Sequence, residues 1–249
     1  MLGIVIQARL GSKRLPNKML LPFYESKGVL ELVIENLLEN FNNLPIIVAT
    51  TNSPCDDKII TLCLKHEINY YRGSEENVLE RFVDIGNKYS LTKIIRVCAD
   101  NPFLSMDYLD ILIKKFEKSD ADYLSFQTNK GLPVMKTHYG FWAEGVTLKA
   151  LRKIQKSTNR AIYLEHVTNF IYENSEHFKI EFTKIKKNIE EHSPIRMTLD
   201  THEDYLLLKD IYSEYILLEE KTLKSLIEFV CSNKIWLEKM NLQILKNIK

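Results

Sequence analysis

Short apolar runs alternate with helix-patterned segments along the first 125 residues, and this alternation restricts the chain more than any other feature. Leu2-Gly3-Ile4-Val5-Ile6 and Pro45-Ile46-Ile47-Val48-Ala49-Thr50 are almost wholly apolar, as strands buried on both faces must be. Between them, Leu30, Val33, Ile34, Leu37, Leu38 and Phe41 recur at helical spacing over Val29–Phe41. Ser53 followed by Pro54 predicts a helix to about residue 66, with Ser53 as N-cap and Pro just inside it. A third strand is expected at 69–72, then a helix to about 89 capped by Ser74, with Asn77 where a full capping box has Glu or Gln. Strands at 93–98 and 122–126 flank a helix at 105–118. Such alternation implies an α/β fold, a mostly parallel central sheet with helices on both faces. Sites in these sheets lie beyond the carboxyl ends of the strands, here residues 8–18, 51–57, 72–74 and 99–105.

The second half is less regular. Residues 137–146 read as extended, 148–155 and 160–173 as helices, and 178–185 as a strand. An apolar strand is expected at 195–199, ending on Asp200. Thr201 then starts a helix with Asp204 at the third position, an acidic variant of the capping box. The last 30 residues read as helical, with Trp236, Leu237, Leu242, Ile244 and Leu245 as packing residues. No repeat, low-complexity tract or linker interrupts the chain, so residues 1–249 are expected to form a single domain.

The 249 residues carry 34 Lys and Arg against 33 Asp and Glu, a formal net charge of +1. Bulk electrostatic attraction to nucleic acid is therefore excluded. Disorder is excluded by the 45% hydrophobic content. Cys55, Cys63, Cys98 and Cys231 form no CxxC pair and have no clustered histidines. They read as reduced thiols of a cytoplasmic protein rather than a zinc site or disulfide framework. The apolar start, Met1 to Gln7, is too short for a signal peptide, and no stretch reaches the roughly 20 apolar residues of a membrane span.

Charge is nevertheless polarised. Residues 1–24 hold Arg9, Lys13, Arg14 and Lys18 and no acid. All four fall in Gln7-Ala8-Arg9-Leu10-Gly11-Ser12-Lys13-Arg14-Leu15-Pro16-Asn17-Lys18, directly after the first strand. Backbone N–H groups and cations in such a loop suit a polyphosphate, with Gly11 allowing close approach and Ser12 adding a hydroxyl. Neither the GxxxxGK[ST] loop nor the GxGxxG dinucleotide fingerprint is present. Asp100, in Ala99-Asp100-Asn101-Pro102, ends a buried strand and is either a turn former or a Mg²⁺ ligand. Asp200, in Leu199-Asp200-Thr201, is either a helix cap or a second ligand facing Asp100. Arg72-Gly73-Ser74 is a tight turn that could also contact a base or ribose. His166 lies within a predicted helix, packed or exposed more readily than catalytic. Ser175 and Ser193 lack His and Asp partners at a recognisable triad spacing. Asp120-Ala121-Asp122 has the DxD spacing of sugar transferases but precedes a strand, away from the expected site.

These segments resemble the cytidylyltransferases that activate acidic sugars, the acylneuraminate and 3-deoxy-manno-octulosonate enzymes, over residues 2 to about 215. The opening motif from Ile6 to Lys18 carries the likeness. Gln7, where those two groups usually have Pro, is similar to the spore-coat polysaccharide branch. So are Arg72-Gly73-Ser74-Glu75-Glu76-Asn77-Val78-Leu79-Glu80-Arg81-Phe82, Ala99-Asp100-Asn101-Pro102-Phe103-Leu104 and Glu165-His166-Val167-Thr168. The resemblance implies a nucleotidyltransferase fold of the GT-A, Rossmann-like type. It implies transfer of CMP from CTP to an acceptor such as a sugar acid, with Mg²⁺ as cofactor and pyrophosphate as product. It places Gln7, Ala8, Arg9, Gly11, Ser12, Lys18, Arg72 and Ser74 at the nucleotide, Arg9, Lys18 and Asp100 in catalysis, and Asp100 and Asp200 at the metal. It assigns about 127–195 to acceptor binding or dimerisation, where Tyr139, Phe141 and Trp142 form an aromatic cluster equally suited to core packing. Asn17 stands where the family commonly has Gly, and Ala99 replaces the Gly that often precedes the metal Asp. Three other functions remain open on the residues: a CDP-forming enzyme acting on a phosphate or phosphonate monoester, a sugar-transferring GT-A enzyme, and a non-catalytic nucleotide-binding protein.

Overall fold

A computed structural model describes residues 1–191 and 195–247. Seven strands, β1 (Leu2–Gln7), β2 (Ile46–Thr51), β3 (Asn69–Gly73), β4 (Lys93–Cys98), β5 (Tyr123–Gln127), β6 (Glu144–Thr147) and β7 (Ile180–Lys184), form one sheet in the order β3-β2-β1-β4-β6-β5-β7. Every neighbouring pair is parallel except those of β6, which runs antiparallel to β4 and β5. The first half is crossed by α1 (Val29–Phe41), α2 (Asp57–Lys65), α3 (Val78–Lys88) and α4 (Met106–Lys118). The second half contributes α5 (Leu148–Ser157), α6 (Ala161–Glu165), α7 (Asn169–Glu173), α8 (Lys187–Glu191), α9 (His202–Tyr215), α10 (Leu223–Ser232) and α11 (Lys234–Lys246).

Side-chain alternation along β1 builds both layers. Ile4 and Ile6 face a core made with α1, α4 and the last three helices, whereas Val5 faces one made with α3, α5 and α7. All three are fully buried, each worth about 1.5–3 kcal/mol relative to exposure. Because β1 is covered on both faces, its sequence is continuously apolar rather than alternating. Strand order reverses at β1, between β2 and β4, so the crevice at the carboxyl ends opens there.

The start of α4 follows the expectation, with Ser105 accepting from the Tyr108 amide. At α9, Thr201 and Asp204 form the reciprocal capping box. Several expectations fail for local reasons. Ser53 makes no cap; a 3-10 turn at Pro54–Asp56 intervenes before α2, because the Asp56 carboxylate turns back onto Thr50 and Thr51. Asn77, not Ser74, caps α3 by accepting from the Glu80 amide. The helix expected at 160–173 breaks at His166 into α6 and α7, since Thr168 turns inward to donate to Glu144. Residues 195–199 are buried and extended but form no strand. They cross the carboxyl end of the sheet, with the Leu199 amide on the Asp100 carbonyl and the Met197 amide on His138. Leu242 and Leu245 are exposed, while Trp236 packs in the core. Phe141 and Trp142 are also buried, in edge-to-face contact with each other and with Tyr108 on the Trp142 side. They are core, not an open pocket wall. Among the described residues no helix is long and apolar enough to cross a membrane.

Behind the sheet, Glu31 on α1 accepts from Lys65 Nζ (2.5 Å) and contacts His66 Nε2 (3.1 Å). Burial alone would raise its pKa, but the Lys65 and His66 hydrogen bonds hold it below the ordinary value. A lowered folded-state pKa stabilises the protein above the unfolded value, and that gain is lost as pH falls through the folded value. Urea midpoints of wild type and Glu31→Gln should therefore differ at pH 7 and converge on acidification to pH ~3. A constant gap across that range would contradict the assignment.

Candidate active site at the carboxyl ends of the strands

The loop leaving β1 is anchored by a buried carboxylate that the sequence does not single out. Asp56 Oδ1 accepts from the Leu10 amide (2.8 Å), and Oδ2 from the Thr51 amide and the Thr50 and Thr51 hydroxyls. One side chain thus ties residues 8–18 to the end of β2. Ala8 is buried, with its amide on the Ala49 carbonyl (3.1 Å). Asn17 adopts φ +57°, a left-handed conformation that Asn tolerates better than most residues. It serves where Gly is the other common solution.

From this loop Lys18 turns inward. Its Nζ donates to Asp100 Oδ2 (3.0 Å), to the Leu199 carbonyl (2.6 Å) and to Asp200 Oδ1 (3.4 Å). Burial lowers the pKa of the ammonium, but the Asp100 and Asp200 charges more than offset this and raise it. Arg14 lies 2.9 Å from Asp200 Oδ1. Arg196, 1% exposed, reaches Asp200 Oδ2 (3.2 Å) and forks onto Asp204 (2.8 and 2.7 Å). Sequence reading missed Arg196. Its signal was a lone Arg in an apolar run, four and eight residues before two aspartates.

Arg9 occupies the mouth, 3.2 Å from Glu165 of α6 and 3.8 Å from Glu75. Gly11 lies against Glu75: a Cβ there would come within 2.7 Å of Glu75 Oε1. Ser12 accepts from the Leu15 amide (3.4 Å), and Lys13 is exposed. Gln7 ends β1 with its Oε1 on Arg96 Nε (3.0 Å). A guanidinium only donates, so the Gln7 amide is fixed with its NH₂ turned away from Arg96. Arg96 is itself held by Glu144, which is fully buried and also accepts from Tyr123, Tyr172 and Thr168.

Arg72 and Ser74 lie at the end of β3, and their polar atoms are engaged by the protein. Arg72 donates to the Thr51 and Ser53 carbonyls and to Asp57, clamping the loop after β2, and Ser74 accepts from the Asn77 amide. Nearby, Arg81 is 1% exposed; among the described residues its Nε has no partner, and its guanidinium reaches the Ala49 carbonyl at 3.4 Å. Burial, then the neighbouring Arg9 charge, pulls its pKa down to about 10. His166 is exposed, and Ser193 lies outside the described residues. Asp120 pairs with Lys179, and Asp122 accepts from the Lys179 amide before β5, at the opposite end of the sheet.

Asp100 and Asp200 therefore face one cation, the Lys18 ammonium, where the sequence analysis expected a shared Mg²⁺. Their donors are all carboxylate oxygens, and the Asp100 side chain remains 28% exposed towards solvent. A hard oxygen set open on one side fits Mg²⁺ bound with substrate phosphates. Another group with metal-ligand spacing, Glu31, Glu35 and His66, lies between α1 and α2 with Lys65 and Lys27 already on its carboxylates.

A family model described as Cytidylyltransferase matches residues 3–240. An uncharacterised protein of Methanocaldococcus jannaschii is 36% identical over 194 residues, 78% of this chain and 76% of that protein. The spore coat polysaccharide biosynthesis protein SpsF of Bacillus subtilis is 30% identical over 183 residues, 72% of each chain. The structure of a cytidylyltransferase from Leptospira borgpetersenii superposes with a TM-score of 0.83 at 28% identity, covering 95% of this chain and 96% of that one.

Proposed function

The chain belongs to the cytidylyltransferase family, and from that premise we propose that it transfers CMP from CTP to a sugar-type acceptor with release of pyrophosphate. It is a nucleotidyltransferase enzyme. The observation that carries the reading is the meeting of Lys18, Asp100 and Asp200 beside a cationic loop at the strand ends.

In the reaction an acceptor oxygen bonds to the α-phosphorus of CTP, and the bridge from that phosphorus to the β-phosphate oxygen breaks. The electron pair leaves with pyrophosphate, and the acceptor proton passes to solvent. Phosphoryl chemistry of this kind needs positioning and charge stabilisation above all. Arg9, Ser12 and Lys18, with the amides of the Gly11 turn, hold the triphosphate. Arg9 exchanges Glu75 and Glu165 for phosphate oxygens, and Lys18 stabilises the departing pyrophosphate. Asp100 and Asp200 would hold Mg²⁺, which when bound polarises the α-phosphate. Arg196 keeps the Asp200 carboxylate oriented. Gln7 and Ala8 at the end of β1, and Arg72 and Ser74 at the end of β3, border the place for the base and ribose. Residues 127–195 provide the acceptor side, since α6 already reaches the loop through Glu165. The likeness to SpsF supports a role in surface polysaccharide or glycan synthesis.

The test is product mass from CTP and Mg²⁺ with a panel of carboxylated sugars and sugar phosphates. A CMP-linked sugar supports the proposal. A CDP-linked product would replace it with the phosphate-monoester reading, and CTP binding without turnover on any acceptor would favour a nucleotide-binding protein.

A further inference from the structure

Lys18 stands where a cation shared by Asp100 and Asp200 would stand, touching an oxygen of each and the Leu199 carbonyl between them. Its side chain is 9% exposed, so the ammonium is enclosed rather than waving in solvent. Both oxygens of Asp200 are engaged as well, Oδ1 by Arg14 and Oδ2 by Arg196. Among the described residues the paired charges balance: Lys18, Arg14 and Arg196 face Asp100, Asp200 and Asp204. A divalent ion arriving alone would add two charges beside an enclosed ammonium with no new anion to balance them. A nucleotide brings its own anions, which both neutralise the ion and attract Lys18.

The geometry points to Lys18 as a stand-in cation that keeps the Asp100–Asp200 pair closed to a free divalent ion, so that metal enters only together with the nucleotide. The inference rests on the metal reading of those aspartates. Binding is thereby ordered. Lys18 leaves the carboxylates for the phosphates as the metal arrives, and one residue both blocks the empty site and serves the filled one.

Mn²⁺ binding to the whole chain, followed by water-proton relaxation, tests this without turnover. Wild type should retain Mn²⁺ with CTP present and bind Mn²⁺ alone at least about tenfold more weakly than Lys18→Gln or Lys18→Met. Adding Asp100→Asn to Lys18→Met should abolish the gain. Wild type binding Mn²⁺ alone as tightly as with CTP overturns the inference and needs no variant. So does a Lys18 variant, folded by circular dichroism, whose affinity for Mn²⁺ alone equals that of wild type. Failure of the wild type and both variants to retain Mn²⁺ even with CTP overturns the inference together with the metal reading beneath it.

Discussion

Asp100→Ala is expected to reduce pyrophosphate release from CTP by about 10³-fold or more while leaving the thermal transition nearly unchanged. Asp100 lies in the turn after β4, is partly open to solvent and has Lys18 as its ion-pair partner. Removing it strands no fully buried charge, because Lys18 keeps the Leu199 carbonyl and Asp200. The loss therefore falls on chemistry rather than on folding. Lys18→Ala should cost a similar factor in turnover, through lost stabilisation of the leaving pyrophosphate. Near-wild-type release by either variant would remove both residues from the mechanism.

Glu144→Ala is expected to have the opposite profile, a large loss of stability. Glu144 lies on the antiparallel strand β6, fully buried, and accepts from Arg96, Tyr123, Tyr172 and Thr168. Truncation leaves a buried guanidinium without its counter-ion and removes the acceptor shared by three hydroxyls, of which Tyr123 and Tyr172 keep each other. Breaking a buried pair in this way costs about 3–5 kcal/mol, which for a chain of this size lowers Tm by roughly 10 °C. Burial, followed by the Glu144 charge, holds Tyr123 and Tyr172 well above the ordinary tyrosine pKa, so both remain neutral donors. Glu144→Gln keeps an acceptor in place and should lose less. Calorimetry showing Glu144→Ala within about 1 kcal/mol of wild type would contradict the network. Because Arg96 also orients Gln7, the network that stabilises β4–β6 pairing reaches one edge of the candidate site.

The sheet was legible where burial dictates composition. β1, β2 and β4 are apolar because both faces are covered, and their flanking helices carry periodic stripes. Residues 195–199 show the limit of that signal: an apolar run demands burial, and a segment crossing strand ends is as buried as a strand. The break at His166 was illegible for a similar reason. Residues 160–173 have helical spacing, but the Thr168–Glu144 hydrogen bond is a long-range choice that local pattern does not contain. Among candidate-site residues, Lys18, Asp100 and Asp200 stood out in the sequence because each follows an apolar run, and the structure brings the three together. Asp56, Arg81 and Glu144 act through partners distant in sequence or through burial itself, so their importance emerges only in three dimensions, whereas Arg196 carried a local signal in the aspartates four and eight residues on. The neutral overall charge concealed the arrangement most fully. Arg9, Arg14 and Lys18 are each matched by a carboxylate from another part of the chain.

CMP transfer from CTP is measured directly by following the two ends of the triphosphate separately. CTP radiolabelled at the α- or the γ-phosphate is incubated with enzyme, Mg²⁺ and the panel of carboxylated sugars. CMP transfer places α-label in a sugar adduct and γ-label in pyrophosphate, one for one, with both transfers lost in Asp100→Ala. Release of γ-label as inorganic phosphate, or of α-label as free nucleotide with every sugar tested, would contradict it.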